Sequence, residues 1–121
     1  MKESSKIYDL EERTAQFGEN IIKLCKKVKQ DTITKPIISQ LIRSATSIGA
    51  NYMEANGASS KKDFRNKIFI CKKEAQETKH WLRMLKTCAL EEKSEIEKLW
   101  KECQELTLIF GKIISSLKIQ N

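Results

Sequence analysis

The chain has 121 residues, which is a usual length for one domain that buries a core without disulfides or bound metal. Four glycines, one proline and 32% charged residues favour helices over a turn-rich sheet protein, and no apolar run approaches the roughly 20 residues of a transmembrane helix. The net charge of +7 suits an anionic partner, and the absence of a secretory signal leads us to expect a cytoplasmic protein without a membrane role.

The first predicted helix covers about residues 9–29. Asp9 followed by Glu12 makes a capping-box-like start. Apolar residues then recur at alternating steps of three and four, which is the pattern of a helix face buried against other helices. The predicted stripe is Leu10, Thr14, Phe17, Ile21, Leu24 and Val28.

The second predicted helix covers about residues 35–56. Pro36 suits its first turn, and Asn56 with Gly57 suits a left-handed C-terminal cap. The predicted stripe is Ile38, Leu41, Ala45, Ile48, Tyr52 and Ala55. A polar row lies beside it, formed by Ser44, Ser47, Asn51 and Glu54. If another helix covers this row, its members must be hydrogen-bonded internally and would fix the helix register.

The third predicted helix covers about residues 60–88 and has the most regular pattern. Ser60 with Asp63 makes a second capping-box-like start. The apolar stripe keeps its register over three heptads. Its members are Phe64, Ile68, Cys71, Ala75, Thr78, Leu82 and Leu85.

The fourth predicted helix covers about residues 92–118. It starts either at Ser94 with Glu97 or with the acidic pair Glu91 and Glu92 in its first turn. The stripe is Ile96, Leu99, Cys103, Leu106, Phe110, Ile113 and Leu117. Short connections make successive helices antiparallel, so we predict an all-α, up-down-up-down antiparallel four-helix bundle as a single domain over residues 1–121.

Nearly all of the excess positive charge lies on the third helix. Residues 60–88 contain nine Lys or Arg and three Asp or Glu, so their net charge is 9 − 3 = +6. Four of these cations recur every seven residues beside the buried stripe, which suits regularly spaced phosphates. The predicted nucleic-acid contacts are Lys62, Arg65, Lys72, Lys73, Lys79, Arg83 and Lys86. In the alternative interpretation this face is solvated and partly paired with acidic residues of the fourth helix, such as Glu95, Glu102 and Glu105.

A second apolar seam lies beside the main stripes of the third and fourth helices. A bundle this small does not easily bury two seams, and Trp and Met are enriched at protein interfaces. We therefore predict a homo-oligomer, with a different protein partner as the alternative occupant of the seam. The predicted interface residues are Ile70, Trp81, Met84, Trp100 and Ile114.

The sequence predicts neither an enzyme, a metal site nor a cofactor. Glu77 and His80 form the ExxH unit of di-iron bundles, but such a site needs two units and two further glutamates, and His80 is the only histidine. The cysteines have spacings typical of neither zinc ligands nor a redox pair, and we expect reduced thiols that act mainly as small core residues. They are Cys25, Cys71, Cys88 and Cys103.

Several local motifs carry a family resemblance. The segment RSATSIGANYMEA, which leads into SKKDF, and the segment YDLEERTAQF resemble a bacterial four-helix bundle family. That family is named for proteins encoded in intervening sequences of 23S rRNA genes, and the resemblance covers roughly residues 7–118. It implies a cytoplasmic homopentamer without enzymatic activity. The family includes accessory proteins of diversity-generating retroelements, which bind nucleic acid and a reverse transcriptase.

Two functional hypotheses therefore compete. The first is a non-enzymatic, homo-oligomeric, pentameric binding or assembly protein that contacts RNA or DNA through its basic third helix. Such binding is expected to be non-specific in sequence, since we expect no exposed aromatic platform on that helix for base stacking. The second is a protein–protein adaptor or structural bundle without a nucleic-acid role. Salt separates them, because phosphate binding weakens steeply as salt rises whereas apolar contacts do not.

Overall fold

A computed structural model describes residues 9–117 as four helices. These are α1 (Leu10–Lys27), α2 (Thr34–Asn56), α3 (Lys61–Cys88) and α4 (Lys93–Ser116). Each helix begins and ends within two residues of the position predicted from the sequence. Every regular element in the described part of the chain is helical, which confirms the all-α prediction. None of these helices combines the length and the apolar composition that a membrane span requires.

Side-chain pairs between neighbouring helices show that each helix is antiparallel to the next. Arg13 near the start of α1 contacts Glu102 in the middle of α4, whereas Lys27 at the end of α1 contacts Glu95 near the start of α4. The same reversal appears between α2 and α3 and between α3 and α4, in the pairs Glu54–Lys67, Ser44–Thr78, Gln104–Lys79 and Glu97–Lys86. The predicted up-down-up-down bundle is therefore confirmed.

The predicted stripes form one continuous core, with a single shift on α4. Most of their members are buried, and Tyr52 and Phe64 are half-buried. On α4, Ile114 is buried at 8% exposure, while Ile113 is only half-buried and packs at the edge of the core. The prediction that placed Ile113 in the stripe and Ile114 at an oligomer interface is wrong here, because the buried face steps by four residues from Phe110 to Ile114.

Three of the predicted helix starts can be compared with the structure. Ser60 Oγ accepts a hydrogen bond from the backbone N–H of Asp63 at 3.0 Å, which confirms the cap of α3. Asp9 occupies the N-cap position of α1, but its side chain makes no capping hydrogen bond. A short 3-10 helix over Leu90–Glu92 runs directly into α4. Ser94 therefore lies inside the helix, and the acidic pair precedes it.

The two ends of α2 are closed by different hydrogen bonds. At the start, Asp31 Oδ1 accepts hydrogen bonds from the N–H groups of Ile33 and Thr34, both at 2.9 Å. These backbone bonds lower the pKa of Asp31, since they favour the carboxylate. At the end, Gly57 has φ −98°, so the predicted left-handed cap is wrong. Its N–H instead donates to the Glu54 carbonyl at 3.1 Å in a tighter last turn.

Small residues allow α2 to lie very close to α1. A β-carbon placed on Gly49 would lie 3.4 Å from Thr14 Oγ1, and one placed on Gly18 would lie 3.7 Å from Thr46. Side chains much larger than alanine at Gly49 would therefore separate the two helices or displace Thr14. The mixture of small and polar residues in the α2 motif thus has a packing role.

The predicted polar row of α2 faces α3 and is hydrogen-bonded. Thr78 Oγ1 of α3 donates to Ser44 Oγ at 2.8 Å, and Ser44 Oγ donates to the Leu41 carbonyl at 3.3 Å, with both hydroxyl residues fully buried. At the far end of the row, Lys67 Nζ donates to Glu54 at 2.8 Å. Because a buried hydroxyl needs a partner, the Ser44–Thr78 pair favours one register of α2 against α3.

We expect Ser44→Ala and Thr78→Val each to lower the free energy of unfolding by about 1 kcal/mol, because each removes the interhelical hydrogen bond. Their effects should be coupled by about 0.5 kcal/mol or more, since both act on one bond. Urea denaturation of the two single variants and the double variant measures this coupling. Thr46→Val is the matched control, because Thr46 donates within its own helix and is exposed. Additive effects would mean that the pair does not link the helices energetically.

Candidate nucleic-acid interface

Three of the four acidic residues of α4 pair with α1. Arg13 donates from Nε and Nη2 to the two oxygens of Glu102 at 2.7 and 2.9 Å, and from Nη2 to Glu105 at 2.7 Å. The hydrogen bond with Glu102 raises the pKa of Arg13 above its usual range. Lys27 pairs with Glu95 at 2.9 Å. The partners of these three glutamates are therefore on α1 and not on the third helix, whereas Glu97 of α4 does pair with Lys86 of α3.

On its α4 side, α3 places two cations of the predicted stripe against uncharged groups. Lys72 passes over Gly111, and its Nζ would lie 3.8 Å from a β-carbon placed there. Lys79 Nζ donates to Gln104 and lies 5.3 Å from the centroid of the Trp100 ring. Neither contact places a carboxylate beside the lysine.

The two ends of the stripe differ. Lys86 Nζ lies 3.6 Å from Glu97, a long and half-exposed ion pair of small energetic value. The Arg65 guanidinium lies 5.0 Å from the centroid of the Phe69 ring, and its buried Nε has no hydrogen-bond partner among the described residues. All four heptad cations are half-buried. The side chains of Lys72, Lys79 and Lys86 lie along α4, where their apolar stems pack against its surface.

The remaining predicted contacts lie on the open surface of α3. Lys62, Lys73 and Arg83 are exposed, and no acidic residue within residues 9–117 pairs with them. Arg83 also lines a groove between α3 and α4. The seven predicted cations therefore lie along the α4 side and the outer surface of one helix.

Two further cations come from α4. Lys101 lines a groove of about 430 Å³ together with Arg83 and Lys86, and Lys112 lines an adjacent groove of about 700 Å³ with Lys72. We define the basic face as the seven predicted cations of α3 with Lys101 and Lys112. The net charge of α4 does not reveal these two lysines, because the helix as a whole carries as many acidic as basic residues. Only the packing shows that Glu95, Glu102 and Glu105 pair with α1, which leaves Glu97 as the one acid of α4 that lines these grooves.

The five predicted interface residues do not form one surface. On α3, Ile70, Trp81 and Met84 lie on the edge nearer α2, where Trp81 Nε1 donates to Glu77 at 3.0 Å and Glu77 in turn pairs with Arg43 of α2. Trp100 lies on the opposite side of α3, against Lys79. Ile114 belongs to the core. We define the α3 seam as Ile70, Trp81 and Met84, and Trp100 lies on a separate surface.

Groups with catalytic or metal-binding potential have structural partners. Glu77 of the ExxH pair bonds Arg43 and Trp81, and the His80 ring packs edge-on to Trp81 with 4.9 Å between centroids. Arg43 also pairs with Glu74 at 3.3 Å. No cluster of three or more potential metal ligands occurs among the described residues. Glu77 therefore ties α3 to α2, whereas His80 packs against its own helix.

The cysteines divide into three buried thiols and one exposed thiol. Burial raises the pKa of Cys25 to about 11 and those of Cys71 and Cys103 to about 12. Cys103 Sγ also donates to the Ala75 carbonyl at 3.1 Å. Cys88, near the end of α3, is exposed. The buried thiols thus pack as small core groups and stay protonated near neutral pH.

The fold and this surface define a class, the four-helix bundle with a basic face. The chain belongs to the family of 23S rRNA-intervening sequence proteins, because the sequence profile of that family matches residues 6–112. This confirms the resemblance predicted from the α2 motif. The structure is also similar to the 1.70 Å crystal structure of a protein of unknown function from the S23 ribosomal protein family of Bacteroides thetaiotaomicron. The two chains are 32% identical with a TM-score of 0.76, over 86% of this chain and 96% of the other. No protein with a curated description matches.

We expect one thiol per native chain to react rapidly with a thiol reagent at pH 8, because only Cys88 is exposed. A raised pKa keeps the three buried thiols protonated at that pH, and burial also blocks access. Absorbance titration in native buffer and then in denaturant should count one fast thiol and four in total. Cys88→Ser should abolish the fast reaction. Two or more fast thiols in the native protein would contradict the burial.

Proposed function

We propose that this protein is a non-enzymatic, homo-oligomeric binding protein of the bacterial cytoplasm that contacts nucleic acid through its basic face. The observation that supports this most is how the charged residues of α4 are partnered. Glu102 and Glu105 are held by Arg13 of α1, whereas Lys101 and Lys112 line the α3–α4 grooves beside cations of α3. The phosphates of a bound nucleic acid would be the anionic partners of these cations.

The dimensions of the basic face suit a nucleic-acid backbone. Arg65 and Lys86 are 21 residues apart on α3, which is about 31 Å at 1.5 Å per residue. That length corresponds to about nine nucleotide rises of 3.4 Å. Cations held along one helix over this length can contact several phosphates at once. Release of the counterions condensed on those phosphates then drives binding and makes it salt-dependent.

The charge contribution is tested with the variant Lys62→Gln, Lys72→Gln, Lys73→Gln, Arg83→Gln. These four cations have no acidic partner among the described residues, so the fold should survive their neutralisation. We expect weaker binding of a 12-nucleotide RNA or DNA, and a slope of log affinity against log salt that is smaller by about 0.7 to 0.9 for each lost phosphate contact. Fluorescence anisotropy at several salt concentrations measures both quantities.

The matched control removes the same charge from the other side of the bundle. Lys23, Lys26, Lys29 and Lys35 are exposed, and none takes part in an ion pair within the described residues. Their replacement by Gln lowers the net charge equally but leaves the basic face intact. If both variants lose the same affinity and slope, the attraction is a net-charge effect without a binding face. If the first variant loses neither, the adaptor hypothesis is the better description.

We also propose that the chain assembles as a homopentamer through the α3 seam. Ile70 is 37% exposed, and Trp81 and Met84 are half-buried on the same edge of the helix. Helical spacing places the three side chains in one row, and Trp and Met are common in the centres of interfaces. This edge lies away from the α4 side of α3, so assembly leaves the cations on the α4 side accessible.

Light scattering should report a multiple of the 14.0 kDa chain mass, with about 70 kDa for a pentamer. Ile70→Glu together with Met84→Glu should lower that mass, because an interface core does not easily bury unpaired carboxylates. Ile33→Glu is the control, since Ile33 is 64% exposed in the α1–α2 connection. A mass of 14 kDa for the unmodified protein at micromolar concentration would reject assembly, and an unchanged mass for the double variant would reject this seam.

A further inference from the structure

Two exposed aromatic rings lie among the cations of the basic face. Phe69 on α3 is 44% exposed, and Trp100 on α4 is 38% exposed. A cation lies over the face of each ring, Arg65 over Phe69 and Lys79 over Trp100. The expectation that this surface lacks an aromatic platform is therefore wrong. Phe69 projects from the outer part of α3, and Trp100 reaches the same surface from the neighbouring helix.

We propose that the basic face binds single-stranded nucleic acid, with unpaired bases stacked on Trp100 and Phe69 and phosphates bound by the surrounding cations. This inference rests on the proposed function and specifies the kind of nucleic acid. Only unpaired bases present a free ring face, because a duplex hides its ring faces in the base stack. Base–aromatic stacking beside a basic track is the usual way in which proteins bind single strands without sequence preference.

The spacing of the two rings suits two stacking sites on one strand. The pairs Lys79–Gln104 and Lys86–Glu97 place Trp100 opposite Arg83, which is 14 residues after Phe69 on α3. Fourteen residues correspond to about 21 Å along the helix axis. That distance is about six nucleotide rises of 3.4 Å. A strand along α3 therefore reaches both rings within about seven nucleotides, with the intervening phosphates near Lys72 and Lys79.

The contacts between the rings and the cations hold the charges in place before a ligand binds. Lys79 is positioned by Gln104 as well as by the Trp100 ring, and Arg65 is positioned by Phe69. Each ammonium or guanidinium group is thus fixed beside the ring on which a base would stack. A nucleotide that stacks there brings its phosphate to a cation that has already lost side-chain freedom, which lowers the entropic cost of binding.

The lining of the two α3–α4 grooves also favours an anionic aromatic ligand. Glu97 is the one acidic residue among the residues that line them, and it already pairs with Lys86. The groove that contains Trp100 continues from Ile96 and Leu82 to Lys101 at its rim. A flat, apolar base and its phosphate therefore find matching surfaces within one groove. A carboxylate-rich peptide would match the charges but would leave the exposed rings without a stacking partner.

The first measurement is the intrinsic tryptophan fluorescence with 12-nucleotide oligo(dT) and oligo(U). Stacking should quench the emission of Trp100, whereas Trp81 lies on the opposite side of α3 and should be unaffected. We expect quenching in the unmodified protein that saturates with the oligonucleotide, and none in the Trp100→Leu variant. The DNA and RNA arms identify the strand that binds more tightly. An unquenched signal at saturating binding would overturn the stacking assignment.

The second measurement compares variants by anisotropy. Trp100→Leu and Phe69→Leu should each weaken single-strand binding by about 5- to 100-fold, which is the usual effect of losing one stacking ring. The salt slope should stay the same, because no phosphate contact is lost. Trp100→Phe should restore most of the affinity, since phenylalanine also stacks. Met53→Ala is the control, because Met53 is 57% exposed on the α1–α2 side. Circular dichroism and sizing of every variant exclude loss of fold or assembly.

The outcomes separate this inference from the proposed function. If both leucine variants bind single strands with unchanged affinity while the four-glutamine variant loses binding, the stacking inference is wrong and the proposed function stands. Tighter binding of a 12-base-pair duplex than of either single strand would overturn it in the same way. If the unmodified protein binds neither single strands nor duplex at low salt, both proposals fail.

Discussion

The close packing of α2 against both of its neighbours is the constraint on which the rest of the bundle depends. Towards α1, Gly49 leaves just enough room for Thr14. Towards α3, the buried hydroxyls of Ser44 and Thr78 bond each other and favour one register. Small side chains bring the backbones together, and the buried polar pair penalises sliding, since a displaced hydroxyl would lose its partner. This is why the α2 motif needs both small and polar residues.

Helix α2 packs on one edge of α3, and α4 packs on the other edge. The charged residues of α3 therefore have different partners on the two edges. Lys67, Glu74 and Glu77 of α3 form ion pairs with α2. Of the stripe cations, Lys72 and Lys79 meet uncharged groups of α4 and Lys86 pairs with Glu97, while Arg13 holds Glu102 and Glu105 on the α1 side. A bidentate arginine pair is the geometry that fixes a carboxylate most firmly. The polarity of the surface is thus a consequence of how the helices neighbour one another.

This polarity connects the fold to the proposed binding role. The family name refers to 23S rRNA intervening sequences, and the similar crystal structure belongs to a protein of unknown function. The functional proposal therefore depends on this chain's own surface, where cations lie beside the exposed rings of Phe69 and Trp100. At each of these sites an exposed ring, on which a base can stack, lies next to a cation, which can bind a phosphate.

The sequence by itself determined the four helices, their antiparallel order and nearly all of the core, because apolar periodicity reports directly which face of a helix is buried. It also carried the family resemblance, through the α2 motif that close packing requires. Only the tertiary structure decided which helix lies beside each flank of a stripe. That choice assigned Glu102 to Arg13, placed Trp100 beside Lys79, and moved Ile114 into the core. Periodicity cannot supply it, since residues on either flank of a stripe look alike until a neighbouring helix covers one of them.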